Sequence, residues 1–359
     1  MKKIVISLIS LLLFITVQAQ NKQEIHAVMN KIRLDFMLDA NGRPNYKVFF
    51  EEKPVINKSY LGIRLANESS FDDNFEITGS EDTMIDESWQ PVWGEVKNIR
   101  NHYRQIVIHL KQKDAKSRLM NIIFRVFEDG VGFRYEFPKQ PGLNYFTVAD
   151  ELTEFSLTGD HKTFWIPGDY DSNEYQYTIS PISKVDASVL AKSATDIAVR
   201  VVPDKYAIQT PLMMKTADGL YINIHEAALS NYTSMQLHVD TKTLKLTANL
   251  VPDAVGNKAY MQAPCSTPWR TIIVSNKAAD ILSSKMILNL NEPSKIENTS
   301  WIKPMKFVGI WLEMQTGKST WNYADRADVL GADGQLIPNG KHGANTANVK
   351  RYIDFAAKN

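Results

Sequence analysis

Ile32-Arg-Leu-Asp-Phe-Met-Leu38, Asp39-Ala-Asn-Gly-Arg-Pro44 and Tyr46-Lys-Val-Phe-Phe50 set the grammar of most of the chain. Ile32, Leu34, Phe36 and Leu38 are apolar at alternate positions, the period of a half-buried strand. The polar stretch that follows carries Asn41-Gly42, a pair suited to positive φ, before the chain returns through Tyr46 to Phe50. A β-hairpin is predicted. Short β-branched or aromatic runs bounded by turn residues recur at 61–65, 71–79, 105–110, 120–127 and 132–137, which implies antiparallel sheets. Further strands are expected at 197–202, 212–215, 219–224, 235–239, 244–251 and 269–274, with a helical interruption at 277–283. So many strands with so little helix make the chain mainly β, one β-sandwich larger than immunoglobulin-type domains. Glu128-Asp-Gly-Val-Gly132 is a tight connection and not a phosphate loop, because no helix follows it.

Beyond Leu288-Asn-Leu-Asn-Glu-Pro293 the pattern changes. Met305-Lys-Phe-Val-Gly-Ile-Trp-Leu-Glu-Met314 is apolar on both faces, as in a strand of a covered parallel sheet. A polar loop over 315–344 leads to a helix over 345–358. Val349, Tyr352, Ile353 and Ala356 form its apolar stripe, and Asn345 or Thr346 is its N-cap. A single strand and helix cannot cover both faces of such a strand, so the expectation is a chain that breaks off inside a larger protein. Residues 20–300 are then the sandwich. Residues 301–359 are the first of several βα units; a (β/α)₈ barrel, for one, needs about 250 residues.

Lys2 and Lys3, the apolar run Ile4 to Val17 and the small-residue close at Ala19 predict a secretory signal peptide over 1–19, cleaved near Ala19-Gln20. A periplasmic or secreted protein without a membrane anchor is expected. Setting aside Lys2 and Lys3, 39 of the 41 basic side chains balance 40 acidic ones, with no basic patch, which argues against nucleic acid as a partner. Cys265 is the single cysteine, so stability must come from the core and not from a disulfide within the chain. It stands between Pro264 and Ser266 with no charge pattern to favour a thiolate, and is read as inert.

The stretch with most chemistry is Phe164-Trp-Ile-Pro-Gly-Asp-Tyr-Asp-Ser-Asn-Glu-Tyr-Gln-Tyr-Thr-Ile179. Trp165, Tyr170, Tyr175 and Tyr177 offer faces on which sugars stack. Asp169, Asp171 and Glu174 offer hard oxygens for a cation or acceptors for hydroxyls. Aromatic turns also pack the corners of β-proteins, and both readings stand. His225-Glu226 lacks the second spaced histidine of a zinc motif, and Trp89, Trp93 and Glu95 serve a sandwich corner as readily as a sugar platform.

That stretch, together with Trp89-Gln-Pro-Val-Trp-Gly-Glu95, Asn101-His-Tyr103, Asp129-Gly-Val-Gly-Phe-Arg-Tyr-Glu136 and Pro268-Trp-Arg-Thr271, resembles glycoside hydrolase family 97, and most closely its starch-degrading α-glucosidases. The resemblance runs from about residue 25 to the end. It implies an N-terminal β-super-sandwich against a (β/α)₈ barrel, of which residues 301–359 are the beginning, and an exo-acting, Ca²⁺-dependent glycoside hydrolase. The expected activity is release of glucose from α-linked oligosaccharides by inversion. Glu174 matches a glutamate that the family uses as a Ca²⁺ ligand, and Trp311 matches a tryptophan beside the substrate sugar. Glu313, Trp321 and Tyr323 would then face the substrate mouth. No catalytic carboxylate falls in this chain; those of the family would lie beyond Asn359. A retaining α-galactosidase of the same family and a non-catalytic carbohydrate-binding sandwich are the alternatives.

Overall fold

Strand formation follows the alternation from the start of the described chain. The computed structural model describes residues 24–188, 190 and 201–359; the expected signal peptide over 1–19 and most of the strand expected over 197–202 lie outside them. Ile25–Met29 (β1), Ile32–Leu38 (β2), Pro44–Phe50 (β3) and Lys53–Tyr60 (β4) form successive antiparallel pairs. The turn between β2 and β3 closes on Asp39, whose Oδ1 accepts from the amides of Asn41 (2.9 Å) and Arg43 (3.0 Å). Gly42 takes φ 71°, and a Cβ there would stand 2.6 Å from the Phe75 backbone, so the glycine is required twice over. Asn41 does not share the positive φ expected for it.

The remaining strands are Ile63–Leu65 (β5), Phe75–Trp89 (β6), Ile99–Gln112 (β7), Leu119–Phe127 (β8), Gly130–Phe137 (β9), Tyr145–Glu151 (β10), Glu154–Leu157 (β11), Lys162–Trp165 (β12), Thr178–Pro181 (β13), Ala207–Gln209 (β14), Leu212–Lys215 (β15), Tyr221–Ala227 (β16), Met235–Asp240 (β17), Lys245–Leu250 (β18), Ala259–Gln262 (β19), Cys265–Ser266 (β20) and Trp269–Ser275 (β21). Among the described residues one sheet runs β1-β2-β3-β4-β11-β18-β17-β14. A second runs β13-β12-β15-β16-β21-β9-β8-β7-β6 with β20 on β9, and a short third is β19-β10-β5.

The two large sheets bury a shared aromatic row. Phe36 on β2 meets Phe124 on β8 at 5.9 Å between centroids, and Tyr46 on β3 meets Phe133 on β9 at 5.1 Å. The Tyr46 hydroxyl is satisfied by the Glu154 carbonyl at 2.9 Å, so it enters the core without an orphaned donor. The second sheet is covered on its other face too. Ala278–Ser283 (α1) and Met286–Asn289 (α2) follow β21, and Met286 and Leu290 bury Trp269, Ile273, Ile123 and Phe127. All seven residues of β21 are buried for this reason. The helical interruption expected at 277–283 is thus the start of a third layer.

The core contains charge. Arg270, fully buried on β21, donates from Nε and Nη2 to Glu151 (2.8 and 2.7 Å) and from Nη1 to Glu226 (2.6 Å). Thr153 and Tyr232 donate to Glu151, and the Met235 amide donates to Glu226. Burial alone would lower the Arg270 pKa, but the Glu151 and Glu226 carboxylates outweigh it and hold the guanidinium charged.

The chain divides into two compact units, one to Pro293 and one from Ser294 to Asn359, a boundary several residues before the expected 300/301. Within the second unit the strand expected at 305–314 is absent. Those residues carry no ladder and end in a single turn, Leu312–Gln315 (α3). A strand needs hydrogen-bonded neighbours, and no segment of this unit supplies them, so Met305 and Phe307 stay exposed. Thr346–Lys358 (α4) forms as expected, with Asn345 Oδ1 accepting from the Asn348 amide at 2.9 Å. Its apolar stripe remains uncovered, and no residue of the helix is buried. Among the described residues no helix is long and apolar enough to cross a membrane.

Replacing Glu151 by Ala leaves Arg270 with Glu226 alone and removes the acceptor of its Nε and Nη2 in the core. Urea unfolding is expected to show a loss of about 3–5 kcal/mol. The triple replacement Glu151→Gln, Glu226→Gln, Arg270→Met is expected to lose less than that single change, because no buried guanidinium is then left with unpaired donors.

Candidate functional site

The Phe164–Ile179 stretch is a strand, a loop and a strand. β12 carries Thr163 and Trp165 on its buried face, and Trp165 is 2% exposed with its indole N–H on Ser180 Oγ at 3.0 Å. Trp165 is therefore core and offers no face to a ligand, a correction that follows from β alternation. The loop from Ile166 to Tyr177 is drawn onto the first sheet through β14. Gly168 N donates to the Ala207 carbonyl at 2.8 Å, and a Cβ on Gly168 would fall 2.5 Å from that of Ala207. Only glycine allows this approach.

Asp169 organises the loop. It is 3% exposed, and its Oδ1 accepts from the amides of Asp171 (2.8 Å), Ser172 (3.1 Å) and Val201 (3.1 Å). Its Oδ2 takes the Tyr175 hydroxyl at 2.5 Å. Burial pushes the pKa up, but these donors, Tyr175 foremost, outweigh it and hold the carboxyl below its usual range. Hydrogen bonds to a charged acceptor contribute about 1.5–3 kcal/mol each, so Asp169 acts as a structural anchor and not as an open ligand. The Gln236 amide donates to the Asp169 carbonyl at 2.5 Å and the Gln209 amide to the Ser172 carbonyl at 2.7 Å, clamping the loop backbone from β17 and β14.

What this scaffold holds out is Glu174. Its amide donates to Ser172 Oγ at 3.1 Å, while its side chain is exposed and its carboxylate meets no partner among the described residues. Asp171 and Tyr177 are exposed beside it in sequence. Hard carboxylate oxygens on a clamped loop fit Ca²⁺, which takes six to eight oxygens. One or two carboxylates are a part of such a set. Among the described residues the acidic and histidine groups close enough to share an ion are Glu24, His26 and Asp35, none of them from this loop.

Behind the loop lies a cleft of about 260 Å³, lined by Asp169 to Asn173, Gln209, His225, Glu226 and Gln236. Glu226 turns into the core to Arg270, so the His225-Glu226 pair is no catalytic dyad. His225 Nδ1 and Gln236 Oε1 are buried in the cleft wall without a hydrogen-bond partner among the described residues, and burial, with Arg270 adding to it, lowers the His225 pKa. These residues come from three strands far apart in sequence, and no local pattern marks them.

The other candidates separate cleanly. Trp89 donates its indole N–H to Asn289 Oδ1 at 2.8 Å and is a packing residue, while Trp93 is 56% exposed. Burial pushes the Cys265 thiol up to about 11, which keeps it protonated and unreactive. In the second unit Trp311 packs against Trp321 with centroids 4.6 Å apart and ring planes inclined by 34°, and both rings remain about half exposed. Glu313 is bound to Arg351 on α4 (2.6 Å) and to Lys318 (3.3 Å), and these cations, Arg351 first, hold its carboxyl below the usual range. It ties Lys318 and α4 together.

Residues 29–293 match the family described as Glycosyl-hydrolase 97 N-terminal. A curated relative, a retaining α-galactosidase of Bacteroides thetaiotaomicron, is 23% identical over 389 aligned positions, covering all of this chain and 52% of its own length. Two solved structures of a family 97 enzyme from Pseudoalteromonas sp. strain K8, one with acarbose and one an E480Q form with panose, are each 33% identical with a TM-score of 0.75. Each match covers 93% of this chain and 46% of the other. The chain thus spans about half the length of the proteins it matches. With its sandwich matched from end to end, the chain belongs to glycoside hydrolase family 97, of which it carries the N-terminal domain.

Proposed function

We propose that this chain is the N-terminal part of a secreted or periplasmic, Ca²⁺-dependent, exo-acting α-glucosidase that releases glucose from starch-type oligosaccharides with inversion. The observation that carries the glucosidase reading is the 33% identity to the Pseudoalteromonas enzyme solved with acarbose and with panose, the latter an α-linked glucose trisaccharide. Glycoside hydrolysis needs two carboxylates across the scissile bond. Asp169 and Glu313 are both engaged internally, and Glu174 has no second open carboxylate fixed against it. The acid and base are placed, in this reading, in the part of a family 97 protein that this chain does not span, with residues 301–359 as the beginning of the barrel that bears them. Glu174 is assigned as one Ca²⁺ ligand. Such an ion, when bound, orients carboxylates and polarises a substrate oxygen. This chain's own part is to fix the loop backbone that presents Glu174, through Asp169, Gln209 and Gln236, while Trp311 and Trp321 offer exposed aromatic surface for the sugar. A retaining α-galactosidase is the second reading, favoured by the Bacteroides relative that aligns over the whole chain.

The 359-residue chain alone is expected to turn over neither aryl α-glucoside nor aryl α-galactoside. A protein expressed from the coding region read past codon 359 should cleave the glucoside and show β-glucose first by NMR. Release of α-galactose first would establish the second reading in its place. In that longer protein Glu174→Gln is expected to weaken Ca²⁺ binding by at least about tenfold in calorimetry, an outcome that unchanged affinity would contradict.

Loop order should depend on acid. Because the folded-state pKa of Asp169 lies below the ordinary value of about 3.9, its contribution is present above that pH and is lost as pH falls through the depressed value. Relative to an unstructured amide at the same pH, exchange at Asp171, Ser172 and Val201 should accelerate only under such acid conditions. In Asp169→Asn it should be fast already at neutral pH.

A further inference from the structure

On the far side of the sequence from that loop, the 251–258 turn and β19 border an open cleft of about 890 Å³ that shares no lining residue with the one behind Asp169. Its main feature is Tyr260, which is 62% exposed and still fixed in place. The Tyr260 hydroxyl donates to Asp253 Oδ2 at 2.7 Å and accepts from Asn257 Nδ2 at 2.9 Å. Asp253 in turn accepts the amides of Val255 and Asn257 at 2.9 Å each. An exposed ring gains little from packing and ordinarily keeps its rotamer freedom. Here the turn immobilises it before any ligand arrives, which removes an ordering cost from binding.

The surroundings select the chemistry. Thr147 on β10 pairs with Tyr260, and Tyr145 pairs with Gln262, so Tyr145, Tyr260 and Gln262 share the outer face of the short sheet. Tyr145 is 71% exposed and sits diagonally to Tyr260, a relation of about 7–8 Å in a sheet. The charges at the cleft are already spent. Asp253 is taken by the tyrosine and the turn, and Lys258 Nζ donates to the Leu250 carbonyl at 2.6 Å. Flat rings beside uncharged polar groups match a neutral polyhydroxylated ligand, not an anion, a cation or a lipid.

We propose that this cleft is a second oligosaccharide-binding site on the sandwich, with Tyr260 as its fixed stacking platform, Tyr145 extending it, and Gln262 bonding hydroxyls. The choice of α-linked oligosaccharide as ligand rests on the hydrolase reading above, while the site itself stands on the geometry. The test is calorimetric titration of maltotriose into the full 359-residue chain and into Tyr260→Ala and Tyr260→Phe. The unaltered chain is expected to bind. Tyr260→Ala should lose at least about tenfold in affinity, and Tyr260→Phe, which keeps the ring and loses its tether, only about threefold. Absence of binding by the unaltered chain, or equal affinity in Tyr260→Ala, overturns the proposal. Either result leaves the hydrolase reading standing, since that is decided by sugar release from the longer protein.

Discussion

The sandwich is organised around a guanidinium that it must keep out of water. Arg270 sits on the central strand β21 with no exposure, and desolvating it is tolerable only because Glu151 and Glu226 meet it with directed hydrogen bonds. Those partners belong to different sheets: Glu226 is its cross-strand neighbour on β16, and Glu151 ends β10 in the short sheet. The network therefore specifies more than stability. A slip of β21 by one residue would turn Arg270 to the helix-covered face and bring the Trp269 indole inward, losing both ion pairs together. Thr153, Tyr135 and the Gly62 amide continue the hydrogen-bond chain, so the short sheet is locked to the large one by polar contacts as well as by packing.

The same logic, at smaller scale, builds the loop that carries Glu174. Asp169 is buried so that its oxygens can be consumed by the chain around it, and the two glutamine amides from β14 and β17 fix the backbone at either side. The result separates two carboxylates five residues apart. One is spent on structure and the other is exposed. Residue type alone does not divide the labour; burial and the count of donors do.

How much of this was legible depends on whether the deciding interaction is local. The β2–β3 hairpin, β15 and α4 were readable because their alternation, turn residues or cap lie within a few positions of each other. Strand β6 was read only as far as Gly79, since Ser80 to Ser88 have no apolar alternation; most of that stretch is solvated, and its ladder to β7 alone makes it a strand. Trp165 looked like a platform because composition does not show which face of β12 is inward. The clamp residues Gln209 and Gln236 and the partnerless His225 Nδ1 carry no sequence signature at all, being brought together by strand order. The strand expected at 305–314 failed for the opposite reason: its apolar pattern is clear, but pattern without hydrogen-bonding neighbours makes no ladder.

Strand β6 has one more consequence. Among the described residues it is the outermost strand of the second sheet and leaves a long row of backbone donors and acceptors without a neighbouring strand. Its exposed side chains are half acidic, and Asp82 and Asp86 are fastened by bidentate bonds to Arg104 and Arg100 of β7. A second molecule approaching edge to edge would have to bring its own Glu81, Asp82, Asp86 and Glu87 against these. The acidic margin thus works as a terminator, ending the sheet in a place where backbone chemistry alone would let it grow from molecule to molecule.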